Sequence, residues 1–182
     1  MRSFAALLAL AALAFGDERG KILRPVDGAA LPPGELSIVA RAPNGRFELD
    51  GKEIPAERPF AGVFHARARP AGGAHTLALV WDTGRHEVRF FVGPGAPAEF
   101  RPYRVHTPAA VECTQCHGLS RRGRFRFKGG CFECHQEPAF ARTHTHTPDV
   151  LAECGECHNA HGSTEKALLA VPREKACKLC HN

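Results

Sequence analysis

Between residues 21 and 92, apolar and polar side chains alternate in short runs with a period of two, the pattern of half-buried β-strands. It predicts strands at 36–40, 46–49, 60–66, 75–81 and 86–92. Turn residues separate them: Asn44-Gly45, then Asp50-Gly51, a strong hairpin pair, then Asp82-Thr83-Gly84. Five or six strands in about 72 cysteine-free residues indicate a small antiparallel sandwich, placed at 20–93. His65, His75 and His86 fall on these strands and read as structural histidines. Trp81 and the Phe90/Phe91 pair read as core or inter-domain contact. Gly93-Pro94-Gly95-Ala96-Pro97 ends the alternation and opens a Pro/Gly-rich linker over 94–104.

Beyond the linker a different regularity takes over. Cys-x-x-Cys-His occurs four times, at Cys113/Cys116/His117, Cys131/Cys134/His135, Cys154/Cys157/His158 and Cys177/Cys180/His181. This is the attachment pattern of c-type haem: two thiols three residues apart reach the vinyl groups of one porphyrin. The following imidazole then takes the iron as proximal ligand. The eight cysteines of the chain are all used, which leaves none for a disulfide. Paired Cys-x-x-Cys knuckles also serve zinc, but zinc chemistry gives no reason for a histidine after every second cysteine. The reading is four covalently attached haem c groups in residues 105–182.

The remaining ligands follow from what the chain contains. Its one methionine is Met1, so His/Met ligation is excluded once a leader is removed. Besides the four motif histidines, the stretch after residue 105 holds His106, His144, His146 and His161, one spare imidazole for each iron. Bis-His coordination throughout is the expectation. His161 lies three residues after His158, an offset that suits a neighbouring haem better than its own. About 77 residues around four porphyrins leave little room for a protein core, so the macrocycles themselves are expected to form it. A haem-free form is expected to be unfolded.

Residues 4–15 form an apolar run behind Arg2, and Ala14-Phe15-Gly16 places small residues ahead of Asp17. This reads as a secretory signal peptide over 1–16, too short for a mature span. With no second apolar run of membrane length, the expected location is periplasmic or extracellular. The formal charge is +5, and a basic run with interleaved aromatics occupies residues 121–128. In an exported cytochrome that run speaks for haem propionates or an acidic redox partner, not for nucleic acid. Phe125 and Phe127 alternate with Arg124, Arg126 and Lys128, which suits a short hairpin strand laying phenyl rings on a haem.

Two family resemblances attach to these residues. The series His146-Thr147-Pro148, Cys154 to His158, Asn159-Ala160-His161-Gly162-Ser163, Lys166-Ala167-Leu168-Leu169 and Cys177 to His181 resembles the doubled Cys-x-x-Cys-His multihaem cytochromes. A looser copy begins at His106-Thr107-Pro108, so the segment looks like a duplicated two-haem unit with Ser120 where the second copy has His161. His144 is the expected stand-in for that missing ligand. The run Gly73-Ala74-His75-Thr76-Leu77-Ala78-Leu79-Val80 with Val88-Arg89-Phe90-Phe91-Val92 resembles the immunoglobulin-like modules of bacterial exported proteins. Together these imply an immunoglobulin-like β-sandwich followed by an irregular, short-helical, haem-packed domain; the saturated ligand count makes electron transfer the expected role ahead of catalysis, with the enzyme question left open. Its partners would be donor and acceptor cytochromes or a reductase, or further copies of itself in a filament. The competing reading is a multihaem reductase with one open iron.

Overall fold

The computed structural model describes residues 20–106, 113–129, 131–135 and 153–181; the segment read as a signal peptide lies outside them. Before residue 93 the alternation produces nine strands: β1 (Lys21–Arg24), β2 (Ala29–Leu31), β3 (Leu36–Arg41), β4 (Arg46–Leu49), β5 (Lys52–Ile54), β6 (Glu57–Phe60), β7 (Val63–Ala68), β8 (Gly73–Trp81) and β9 (Gly84–Val92). The cause is visible in β3, where Leu36, Ile38 and Ala40 are buried and Arg41 faces water. The same period buries Val88, Phe90 and Val92 on β9 and leaves Glu87 and Arg89 outside. Two sheets close over these side chains. Phe47 of β4 and Phe64 of β7 meet edge to face across the gap, their centroids 6.3 Å apart. Aromatic residues buried in this way bring the largest apolar areas to such a core.

One sheet runs β1-β3-β7-β6 and the other β2-β9-β8-β4-β5, with β2 parallel to β9. Strands one, three, seven and six thus take the A, B, E and D places of an immunoglobulin sandwich, and β4, β8 and β9 take C, F and G. No disulfide joins the sheets; Phe47 occupies the middle of the core where such domains often carry tryptophan. The predicted strand at 60–66 is in fact the end of β6 and the start of β7. Gly62, at φ 77°, turns the chain between them. Asp50 and Gly51 both adopt positive φ, 51° and 77°, which gives the two-residue hairpin between β4 and β5 the twist its strands need.

Asp50 also pins β8. It accepts from the Thr76 amide at 2.9 Å and from His75 Nδ1–H at 2.7 Å, while His75 Nε2–H donates to the Ala71 carbonyl at 2.8 Å. This bond, reaching four residues back from the start of the F-place strand, does the work of the tyrosine corner in related sandwiches. Two acceptors require two ring protons, so the geometry suits an imidazolium. Burial alone would lower the His75 pKa, but the bonds to Asp50 and Ala71 outweigh it and raise it. Burial would likewise raise Asp50, yet His75 and the Thr76 amide bring it below its ordinary value. A raised histidine stabilises fully below its unfolded pKa and loses that contribution as pH climbs through the folded one. A lowered aspartate stabilises above its unfolded pKa and loses its contribution on acidification. The pair therefore contributes fully between the ordinary values of 3.8 and 6.5. The melting temperatures of wild type and Asp50→Asn are expected to differ most in that window, and a pH-independent difference would contradict the pairing.

After the sandwich the chain stays on its edge. Phe100 is buried and packs on Phe91, and Arg101–Pro102 forms β10, parallel to β2. The Arg101 amide donates to Gly28 and the Tyr103 amide to Ala30, at 2.8 and 2.9 Å. Arg104 then exchanges two backbone hydrogen bonds, each 2.8 Å, with Ser163. This ladder seats the second pair of motifs against the sandwich.

Candidate functional site

The motif cysteines sit in single helical turns at the first three motifs, Cys113–Cys116, Cys131–Cys134 and Cys154–Cys157. The fourth motif closes by a tighter turn. Cys177 opens a 3₁₀ turn that ends at Leu179, and Cys180 falls just beyond it, at φ −125° and ψ −26°. The Cys180 amide reaches the Cys177 carbonyl only at 3.4 Å, the long, weak closure of a tighter turn. Cys180 is exposed beside exposed Leu179.

In the last three motifs the histidine amide closes the turn onto the first cysteine's carbonyl, at 2.8 Å for His135 and 2.9 Å for His158 and His181. In the helical turns that closure sets the thiols three apart on one side with the imidazole next to them. None of the eight thiols is in a disulfide: Cys113, Cys134, Cys177 and Cys180 are exposed, and Cys116, Cys131, Cys154 and Cys157 are half-buried. Cys116, Cys131 and Cys154 come together; burial, then Cys154, then Cys116 push the Cys131 thiol up. Among the described residues, no group of three or more His, Cys, Asp or Glu side chains is arranged to hold a bare metal ion.

The first motif runs straight into β11 (His117–Leu119), which pairs with β12 (Phe125–Phe127). The basic run thus folds as the expected hairpin. Ser120 is its corner, its Oγ accepting from the Arg124 amide at 3.1 Å, so the residue aligned with His161 serves a turn. The return strand places Phe125 on the His117 ring, centroids 4.9 Å apart and planes 17° from parallel. Phe125 in turn stacks at 4.0 Å on Phe60 of β6, which joins the hairpin to the sandwich. Ser120, Arg121, Arg122 and Arg126 line a cavity of about 420 Å³. Burial, partly offset by the Arg126 carbonyl, lowers the pKa of His117. Its Nδ1 is buried without a hydrogen-bond partner.

The third motif shows how a motif histidine is aimed. His158 Nδ1–H donates to the Ala167 carbonyl at 2.7 Å, which leaves the lone pair on Nε2. This is the support that metal-bound histidines ordinarily receive from a backbone carbonyl. Ala167 and Leu168 hold positive φ, 53° and 55°, as the chain turns to deliver that carbonyl. Bonds from the Asn159 amide to Leu168 and from the Ala170 amide to Cys157, both 2.8 Å, hold the turn against the motif.

The spare histidines divide into two groups. His106 faces His135 of the second motif, their Nε2 atoms 3.5 Å apart. His161 lies beside His117 of the first motif, centroids 5.9 Å apart. His144 and His146 lie outside the described residues. His161 is held from the sandwich side, its carbonyl accepting from the Tyr103 hydroxyl at 2.9 Å. A Cβ at Gly162, which sits at φ 125°, would collide with that hydroxyl. Burial raises the Tyr103 pKa to about 12 despite the charge of Arg24. Burial, then His117 and Arg24, lowers that of His161. Arg101 pairs with Glu165 and donates to Thr164 Oγ1 at 3.1 Å on the same face.

These surroundings fit covalently held haem. The ring of His158 is oriented by the Ala167 carbonyl, and the neutral form favoured at His117 and His161 is the one that would bind iron. Leu119, Phe127, Phe132 and Leu179, all near motifs, expose the apolar surface a macrocycle would cover. Arg24 Nε, whose charge is felt by both Tyr103 and His161, is buried and unpartnered, and a propionate would satisfy it. Arg24, Tyr103, Phe60 and the Ala167 carbonyl are not identified by the sequence pattern. Only Gly162 directly after His161 hints at the close approach made there.

Among solved structures the chain is similar to the fibronectin(III)-like modules of Clostridium thermocellum CbhA, at 22% identity over 41% of this chain and 96% of that one, TM-score 0.35. An FMN-binding beta-glucuronidase from Facaelibacterium prausnitzii is 18% identical over 47% of this chain and 13% of its own, TM-score 0.38. A chimeric titin Z1Z2 is 14% identical over 40% and 91%, TM-score 0.27. No curated protein matches the chain. Residues 146–182 match the family described as Doubled CXXCH motif, and these motifs indicate covalently bound haem c of the kind found in multihaem c-type cytochromes.

Proposed function

We propose that this chain is an exported tetrahaem c-type cytochrome that passes electrons through bis-His, low-potential haems. Cys113/Cys116, Cys131/Cys134, Cys154/Cys157 and Cys177/Cys180 hold the porphyrins; His117, His135, His158 and His181 are proximal ligands, and His106, His144, His146 and His161 are distal ligands. Each haem supplies a one-electron iron couple. The polypeptide's contribution is to fix both axial imidazoles, exclude water and neutralise propionates with Arg24 and the Arg121, Arg122 and Arg126 cluster. The observation that carries this reading is the His106/His135 arrangement, a spare imidazole aimed at a motif imidazole. An iron with two protein ligands gives a substrate no place to bind, so the expected role is conduction between donor and acceptor redox proteins, or along a filament of this chain.

One feature favours a second reading, a reductase with an open iron. The arginine-lined cavity at Ser120 lies where the first repeat lacks its histidine, and it would suit an oxyanion. Ferric EPR and carbon monoxide binding by the reduced protein separate the two. Conduction requires low-spin signals alone and no carbon monoxide adduct, while a high-spin haem that binds the gas would favour the reductase.

A further inference from the structure

We propose that axial ligands are exchanged across motifs: His106 is the sixth ligand of the haem on Cys131/Cys134, and His161 that of the haem on Cys113/Cys116. The proposal rests on the haem reading above and adds which imidazole faces which iron. Two imidazoles on one iron, each bonded at about 2 Å, place their nitrogens about 4 Å apart with the metal between them. His106 and His135 meet this requirement closely, with Nε2 to Nε2 at 3.5 Å. Their centroids are 5.8 Å apart, longer than the nitrogen separation by about two ring radii, so the nitrogens face each other along the line joining the rings. A hydrogen bond between the two rings would align the nitrogens as well, but at about 2.7–3.2 Å, shorter than the separation here. The rings are also turned 58° from one another, as two ligands on opposite faces of a macrocycle are free to be.

His117 and His161 carry the second half independently. Their centroids are 5.9 Å apart, close to the first pair's spacing, and the approach is built from both sides. Phe125 backs the His117 ring, and Tyr103 grips the carbonyl of His161 from the sandwich. Gly162 permits that grip. The first repeat therefore needs no histidine at Ser120, because the second repeat supplies one.

The test uses the exported, haem-loaded chain and pairs each ligand variant with loss of one attachment site. His106→Ala alone is expected to convert one haem of four to a high-spin form that binds carbon monoxide when reduced. In a Cys131→Ser/Cys134→Ser background, which lacks that haem, His106→Ala is expected to change nothing. A new high-spin haem in that background would overturn the assignment. His161→Ala is tested the same way against Cys113→Ser/Cys116→Ser. The wild-type spectrum distinguishes the two levels of failure, since an open iron there sinks the saturated-ligation reading and leaves the pairing to be judged. Should a double variant fail to load haem, a structure of the wild-type holoprotein decides. His106 Nε2 bonded to the iron on Cys131/Cys134 supports the pairing, and His106 on another iron or on none overturns it.

Discussion

Exported protein carrying Cys154→Ser and Cys157→Ser is expected to lose more than one haem's worth of order. Every buried apolar side chain among the described residues lies between Ile22 and Phe100. The cysteine-rich half instead exposes Leu119, Phe127, Phe132 and Leu179, and its helices are single turns. Isolated turns of that length do not persist in water. Attachment and iron ligation must supply the folding free energy, as in other small metal-built domains. The third haem is central because its cysteines adjoin those of the first and second motifs through Cys131 and Cys116. Limited proteolysis is the measurement: rapid cleavage throughout 105–182 with 20–93 resistant is expected. A variant that kept three unperturbed haems and wild-type resistance would show that the haems do not share a core.

Phe47→Ala should produce the opposite outcome. Phe47 is fully buried on β4 and packs on Phe64 across the two sheets. Removing such a ring costs about 3–5 kcal/mol, a large part of the roughly 5–15 kcal/mol that holds a domain of this size. Calorimetry is expected to show the sandwich transition shifted sharply down, with the haem absorption and ligation below that transition unchanged. A shift equivalent to less than about 1 kcal/mol would mean that the core collapses around the gap, against the packing described here.

The strands were legible where six or more residues alternate and where Asn-Gly or Asp-Gly marks the turn. β1, β2, β5 and β6 were not, because three or four residues give too short a pattern, and in β1, β5 and β6 charged residues or proline interrupt it. The parallel pairing of β2 with β9 joins residues far apart in sequence, so no local signal announces it. At the site, the cysteines and histidines were legible because haem attachment fixes their spacing. Ser120 was legible as a gap but not as the corner of a hairpin. Arg24, Tyr103 and Phe60 act through tertiary contact with residues of the cysteine-rich half, which ordinary sequence periodicity does not encode.

The most direct measurement is the mass of the mature exported chain, taken with its haem and zinc content. Four covalently attached haems per chain, every cysteine consumed and no zinc is the expected result. Free thiols with stoichiometric zinc, or fewer than four haems on a fully folded protein, would contradict the account.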